Sequence, residues 1–343
     1  MSVLRNEYHV SSRIPQRNAA RSGEDSARVR VLVTGGTGLI GSRLVARLLS
    51  AGAAVSVFDI KTPPDLQAKL PKVQFVEGDI ADQHALQESA CGVDAIVHLA
   101  YMMSEASSAD PLRASAVNVL GAANVFEAAR IAGVPRVVTA SSISVFGADN
   151  EYPPEDLPLR DDASQLGAKG IAIYAAGKIY MEALAGHYTR EWGLEIVGIR
   201  PGVVYGGERL SGGTAFVAQF IAKAKRAEPF EIPNGAVRTP LVHVDDVAAA
   251  LAVLVTADSS AFARRRFFNL AGDGCSFAEL AAVLRSVFSV AAITVHDGPE
   301  EGLLGMASRI SDAAIETEIG FHRTYTPLRR GIEAEAAASM GAV

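Results

Sequence analysis

The chain has 343 residues, 49% of them hydrophobic and 20% charged, with a formal net charge of −6. That composition supports a large buried core and excludes a wholly disordered chain. No lysine- and arginine-rich face dominates, so nucleic acid is not an expected partner.

Residues 1–27 are polar and carry Arg5, Arg13, Arg17 and Arg21 among Glu7, Glu24 and Asp25. They read as a tail or an oligomer arm rather than a secretory leader, because no apolar core is present. "VRVLVTGG" is then a short β-branched run ending in glycine, as a fully buried strand requires. Residues 38–51 read as a helix with Ile40, Leu44, Val45 and Leu48 on one side. "AVSVFD", "VQFVEGD" and "DAIVHLA" follow as strands two, three and four. A long helix is expected from about Pro111 to Ala132, ended by Gly133, and then a fifth strand in "RVVTASS". A helix over 174–192 and a sixth strand in "LEIVGIRP" complete the regular part. Strands alternating with helices predict right-handed βαβ units, hence an α/β fold with a doubly wound parallel sheet of Rossmann type. After Pro201 the rhythm loosens. Helical stretches at 214–226, 244–256 and 276–288 and short strands at 229–232 and 267–270 suggest a smaller mixed α/β substrate region. The expected division is a tail over 1–27, a nucleotide-binding domain over 28–200 and a substrate-binding region over 201–343.

"TGGTGLIG", Thr34 to Gly41, follows a strand and opens a helix. Gly35 permits the sharp turn, Gly38 the approach of backbone to a pyrophosphate, and Gly41 close helix–strand packing. The helix N-terminus adds N–H donors and partial positive charge. Asp59 ends the second strand, where a carboxylate accepts from both ribose hydroxyls and repels a 2′-phosphate, so NAD is expected rather than NADP. Asp79 ends the third strand, placed to reach an adenine amino group with Ile80 against the ring; the alternative is that Asp79 caps the following helix. Tyr174 and Lys178 lie four apart and share a helix face. Tyr101, Met102 and Met103 follow the fourth strand at its carboxyl edge, as a pocket wall or as core.

Cys91 and Cys275 make neither a metal-ligand spacing nor a redox pair; no metal is expected, and both read as thiols of a reducing, cytoplasmic compartment. His243 with Asp245 and Asp246 imitates a metal or triad cluster in isolation. No stretch reaches the ~18 apolar residues of a membrane span.

With its glycine loop, "HLA" at 98–100, "SSISVFG" at 141–147 and Tyr174-x-x-x-Lys178, the sequence resembles the extended short-chain dehydrogenase/reductase family, and within it the NAD-dependent epimerase/dehydratase branch. The resemblance covers about residues 29–335 and includes the terminal "SDAAIETEIGF…TPLRRGI". It implies that Tyr174 is the general acid/base, that Lys178 favours its phenolate and holds the nicotinamide ribose, and that Ser142 holds the substrate oxygen. It implies further cofactor contacts from Leu39, Ile40, Leu99, Ala100, Asn118, Pro201 and Val203. In family context His243 and Asp245-Asp246 begin and cap a structural helix, and helices 111–132 and 174–192 resemble those that pair in homodimers.

Two departures bear on the reaction. Ile143-Ser144 stands where 4,6-dehydratases of the branch carry Asp-Glu, so water elimination is not expected. Pro201-Gly202 stands where nucleotide-sugar members carry Phe-Asn, which resembles members acting on substrates without a nucleotide. Arg238 precedes His243 by five residues rather than four, with Thr239 in the expected place; it either meets a substrate anion or sits on the surface. The expectation is an NAD(H)-dependent oxidoreductase transferring hydride at a secondary alcohol or ketone of a sugar-derived or other polyhydroxylated small molecule. A nucleotide-sugar 4-epimerase resembling UDP-glucose 4-epimerase is the alternative. From another class, a non-catalytic NAD-sensing binding protein is a further alternative, although such a protein need not keep Ser142, Tyr174 and Lys178.

Overall fold

The computed structural model describes residues 28–207, 215–288 and 292–340. The 1–27 tail read from the sequence lies outside the described residues. The first half alternates as the sequence predicts. Strands β1 (Arg30–Thr34), β2 (Ala54–Asp59), β3 (Gln74–Glu77), β4 (Ala95–His98), β5 (Arg136–Ala140) and β6 (Glu195–Pro201) are all short and rich in valine and isoleucine. Between them run α1 (Leu39–Ser50), α2 (Pro64–Lys69), α3 (Gln83–Ala90), α4 (Ser104–Ala109), α5 (Pro111–Ala114), α6 (Gly121–Ala132) and α7 (Ala172–Trp192). The second half adds β7 (Val203–Tyr205), α8 (Ala215–Lys225), β8 (Phe230–Ile232), β9 (Arg238–His243), α9 (Val244–Thr256), β10 (Phe267–Leu270), β11 (Asp273–Ser276), α10 (Phe277–Phe288), β12 (Ile293–Val295), α11 (Ala313–Ile319) and α12 (Leu328–Met340).

Seven strands form one parallel sheet in the order β10-β6-β5-β4-β1-β2-β3. Both faces are covered, which is why the central strands read as continuous apolar runs rather than alternating ones. On one face Leu86, Phe126, Met181 and Ala185 of α3, α6 and α7 build a core. On the other, Leu44 and Leu48 of α1 meet Val247 and Leu251 of α9. The strand order reverses between β1 and β4, so a crevice opens at their carboxyl ends. A third core joins residues 143–168 to the C-terminal half, around Phe146, Tyr205, Phe220 and Leu280.

Two differences from the sequence reading have physical causes. The helix expected over 111–132 is continuous in direction but contains a π-helical segment, Ser115–Leu120; a wide turn of this kind often marks a functional place. The chain also crosses the boundary drawn at residue 200. β10 pairs with β6 as the seventh strand of the main sheet, and α9 packs on α1. Among the described residues, β7, β9 and β11, and separately β8 with β12, form small sheets of their own.

Candidate active site

The crevice holds a cavity of about 420 Å³. Its first wall is the glycine loop. Gly35 sits at φ 72°, and a Cβ there would lie 2.5 Å from the backbone nitrogen of Ala100, so turn and strand end can meet only without a side chain. A Cβ on Gly41 would run into the carbonyl of Gly35 and the Cα of Gly36. Gly38 starts α1 with no side-chain cap hydrogen bond, and Gly38, Leu39, Ile40 and Gly41 line the cavity. The first N–H groups of a twelve-residue helix therefore meet the cavity wall without a capping oxygen of their own. Asp59 stands beside this loop. Its carboxylate accepts from the Thr37 N–H at 3.0 Å and from the Thr37 hydroxyl at 2.7 Å.

The opposite wall carries Ser142, Tyr174 and Lys178 together. Tyr174 lies in the first turn of α7 and Lys178 one turn later, both facing the cavity. Lys178 is buried, its Nζ donates to the Ala140 carbonyl at 2.7 Å, and it sits 3.5 Å from the centre of the Tyr101 ring. Desolvation pulls its pKa down to about 7, while the Glu182 carboxylate one turn further along pulls the other way. Tyr101 meets Tyr174 edge to face with ring centres 5.2 Å apart, and its hydroxyl donates to the Tyr174 carbonyl at 3.3 Å. Beneath the lysine, His98 is buried and kept neutral, its pKa pushed down to about 3 by desolvation and by Lys178; its ring pairs with the Thr34 hydroxyl at 2.9 Å.

Three serines compete in "SSIS", and their partners separate them. Ser141 is buried and donates to Glu182 at 2.5 Å. Ser144 is also buried. Ser142 is partly exposed, lines the cavity, and accepts from the Ser144 N–H at 3.1 Å as the cap of a short turn. Behind them Glu182 makes a bidentate pair with Arg200 at 2.9 and 2.7 Å, both side chains 6% exposed, and also accepts from Gln165. The helix that carries Tyr174 and Lys178 is thus fastened to β6 by a fully enclosed ion pair.

A profile of the NAD dependent epimerase/dehydratase family matches residues 31–271. The chain belongs to that family. It is 34% identical over 233 residues, 65% of this chain and 72% of the relative, to the UDP-glucose 4-epimerase of Mycolicibacterium smegmatis. It is 34% identical over 185 residues, 52% of this chain and 47% of the relative, to the bovine (Bos taurus) decarboxylating sterol-4-alpha-carboxylate 3-dehydrogenase. Among solved structures, the Thermus thermophilus UDP-glucose 4-epimerase in complex with NAD superimposes with a TM-score of 0.76 at 27% identity, covering 92% of this chain and all of that one. The protein is accordingly an NAD-dependent enzyme of the epimerase and oxidoreductase type. NAD fits the residues present: Gly35, Gly38 and Gly41 reach the cavity wall with no side chain between, and α1 presents its first donors there uncapped.

Several of the residues the resemblance implies as contacts lie outside the cavity lining. Asn118 is buried in the π-helical segment, accepts from the Met102 N–H at 2.7 Å and donates to the Met102 carbonyl at 3.1 Å. It brackets the loop after β4 and does not line the cavity. Met102 is packed against the core, and Met103 takes the place at the cavity wall beside Tyr101. Ile80 is 3% exposed and packs over Gly121 in the core beneath α6. Asp79 is engaged by Arg113 at 2.5 Å and by the Ala81 N–H at 2.9 Å; the cap of α3 is Asp82. Asp59 and Ala100 also lie outside the cavity lining, whereas Leu99, Pro201 and Val203 belong to it. Arg238 lies in β9, 3.6 Å from Glu279, outside the lining. His243 caps α9 by accepting from the Asp245 N–H and pairs with Glu335 at 3.2 Å, and Asp246 accepts from Thr324 and Tyr325. That cluster is structural, as expected. A Cβ on Gly202 would strike the Ala271 and Pro240 carbonyls, so the chain after β6 passes close to both strands there.

Sequence reasoning did not single out Glu182, Leu304 or Met306, and gave Tyr101 no relation to Lys178. The signal for Glu182 was present, since positions 174, 178 and 182 repeat at helical spacing. Leu304 and Met306 reach the cavity from about 130 residues further along the chain than Tyr174, and no local pattern announces that.

Proposed function

We propose that the protein moves hydride and proton between NAD(H) and a secondary alcohol or ketone, with Tyr174 as general acid/base, Ser142 holding the substrate oxygen and Lys178 tuning and positioning Tyr174. The observation that carries this reading is convergence: the three side chains and the uncapped glycine loop line one cavity. The bound nicotinamide supplies the hydride acceptor or donor at its C4. Everything else falls to the chain. The Ser142 hydroxyl accepts from the Ser144 N–H, which orients the serine to donate to a substrate oxygen. Tyr174 takes the proton from that oxygen, or returns it. Two features favour the phenolate: its place in the first turn of a 21-residue helix and the lysine one turn away. The Ala140 carbonyl and the Tyr101 ring hold the lysine in place.

The test is Tyr174→Phe. General acid–base catalysis contributes ~10²–10⁴ in rate, so kcat is expected to fall by at least ~100-fold while NAD affinity changes little. Equal kcat in the variant would remove Tyr174 from the chemistry. Epimerisation of a nucleotide sugar is the second reading, supported by the 34% identity to a UDP-glucose 4-epimerase. NAD retained in stoichiometric amount through purification would favour it, because an epimerase restores its cofactor within each turnover. Several exposed apolar residues, Leu112 and Leu120 before α6, Ile131 on α6 and Tyr180 on α7, support a homodimer built on these helices, which light scattering would test. Both cysteines are free thiols, which accords with a cytoplasmic site of action. No helix among the described residues is long and apolar enough to cross a membrane.

A further inference from the structure

We infer that the substrate of this site is predominantly apolar, a secondary alcohol or ketone on an alkyl or alicyclic frame without phosphate. The inference rests on the reading of Ser142, Tyr174 and Lys178 just given, and deepens it. Five side chains carry the argument. Ile143 directly follows Ser142, and Ile171 lies three residues before Tyr174; both line the cavity. Met103 joins them from the loop after β4, and Leu304 and Met306 from the C-terminal half. A molecule whose oxygen sits between Ser142 and Tyr174 therefore shares the cavity with five branched or thioether side chains. Among the described lining residues the only charged side chain is Lys178, which Ala140 and Tyr101 already hold. At the Ser142–Tyr174 end, away from the glycine loop, a substrate diphosphate would meet no cation among the described lining residues other than Lys178, and apolar walls do not offset its lost hydration.

The wall is built in, because its backbone is held in an unfavourable shape to present it. Leu304 has φ 55° and ψ 26°, a left-handed conformation that branched residues avoid. Its carbonyl lies where a Cβ on Gly170 would come within 2.5 Å, so the turn entering α7 uses a glycine to let Leu304 approach. The next residue, Gly305, is left-handed as well. Asparagine or glycine would suit position 304 better on backbone grounds. A leucine there is explained by what its side chain faces. The wall is also the outer surface of the third core, to which Ile143 and Met306 belong and on which Ile171 and Leu304 pack, so it is rigid rather than adaptable.

The test uses NAD-loaded protein and a graded set of probes, cyclohexanol and its 4-methyl to 4-butyl derivatives, with glucitol and UDP-glucose as polar counterparts. Oxidation is followed at 340 nm and UDP-glucose turnover by chromatography. If the wall binds the alkyl group, kcat/KM rises roughly fourfold per added methylene, and the butyl compound exceeds both polar probes. Leu304→Asn, which the left-handed backbone accommodates, should flatten that rise to about twofold or less per methylene. A flat series, or turnover of glucitol or UDP-glucose above the butyl compound, overturns the apolar class and leaves the oxidoreductase reading standing. If no alcohol is oxidised, quenching of bound NADH fluorescence by the same series decides. Binding that tightens with chain length upholds the apolar site and counts against the oxidoreductase reading; binding independent of length overturns the apolar class.

Discussion

Replacing Lys178 with methionine should make the protein more stable at low pH, although it destroys activity. The lysine is 4% exposed, and its pKa falls from 10.5 to about 7 on folding. A group depressed in this way binds its proton less well in the folded state, so the unfolded chain takes up more protons between pH 7 and 10.5. Stability from this group is therefore lowest below pH 7 and rises as the pH climbs toward 10.5. The full difference corresponds to ~5 kcal/mol. Loss of the ring contact with Tyr101 and of the bond to Ala140 offsets ~2 kcal/mol of it. A net gain of ~3 kcal/mol is expected at pH 6, reversing to a loss of ~1 kcal/mol at pH 10, where the desolvation cost has fallen below that of the lost contacts. Urea denaturation of wild type and Lys178→Met at the two pH values measures it. A variant less stable at pH 6, or a difference that does not change with pH, would refute the argument from desolvation.

Three further outcomes follow from the same contacts. Arg200→Met strands the Glu182 carboxylate in the interior with only Ser141 and Gln165, and urea denaturation should register a loss of ~3–5 kcal/mol, part of which Glu182→Leu in the same chain restores. Gly41→Ala drives a methyl group into the Gly35 carbonyl and the Gly36 Cα at 2.7 Å; the loop must shift, and calorimetric titration should find NAD affinity at least ~10-fold weaker. Asp59→Asn removes the carboxylate charge beside Thr37, so the ratio of NADP to NAD affinity should move at least ~10-fold toward NADP; an unchanged ratio would place the ribose elsewhere.

The nucleotide half is legible in the sequence because its determinants are local. A valine-rich run, a glycine turn and an amphipathic helix occur in register, and β1, the loop and α1 appear within a residue or two of where they are read. Ser142 is singled out in the sequence only by the resemblance; in the structure the bond from Ser141 to Glu182 and the burial of Ser144 set it apart from its neighbours. Face assignment fails where the backbone is irregular. Met102 and Met103 differ only in which way a loop turns them, and that is set by Asn118 from a π-helical segment no period announces. Arg238, which the sequence leaves between a substrate anion and the surface, lies in β9, paired with β11, beside Glu279. The strand at 267–270 is placed correctly along the chain, but its partner β6 lies about 70 residues earlier, and short apolar runs carry no record of their neighbours. Leu304 and Met306 belong to the same class of long-range contact.

The central claim is that Tyr174 carries the proton in an NAD-dependent reaction. It is tested most directly by loading wild type and Tyr174→Phe with equal NAD, adding polar and solvent-extracted metabolite fractions, and recording absorbance at 340 nm. The account predicts reduction of bound cofactor in wild type and none above background in the variant. Equal reduction in both, or wild type that takes up no NAD, would contradict it.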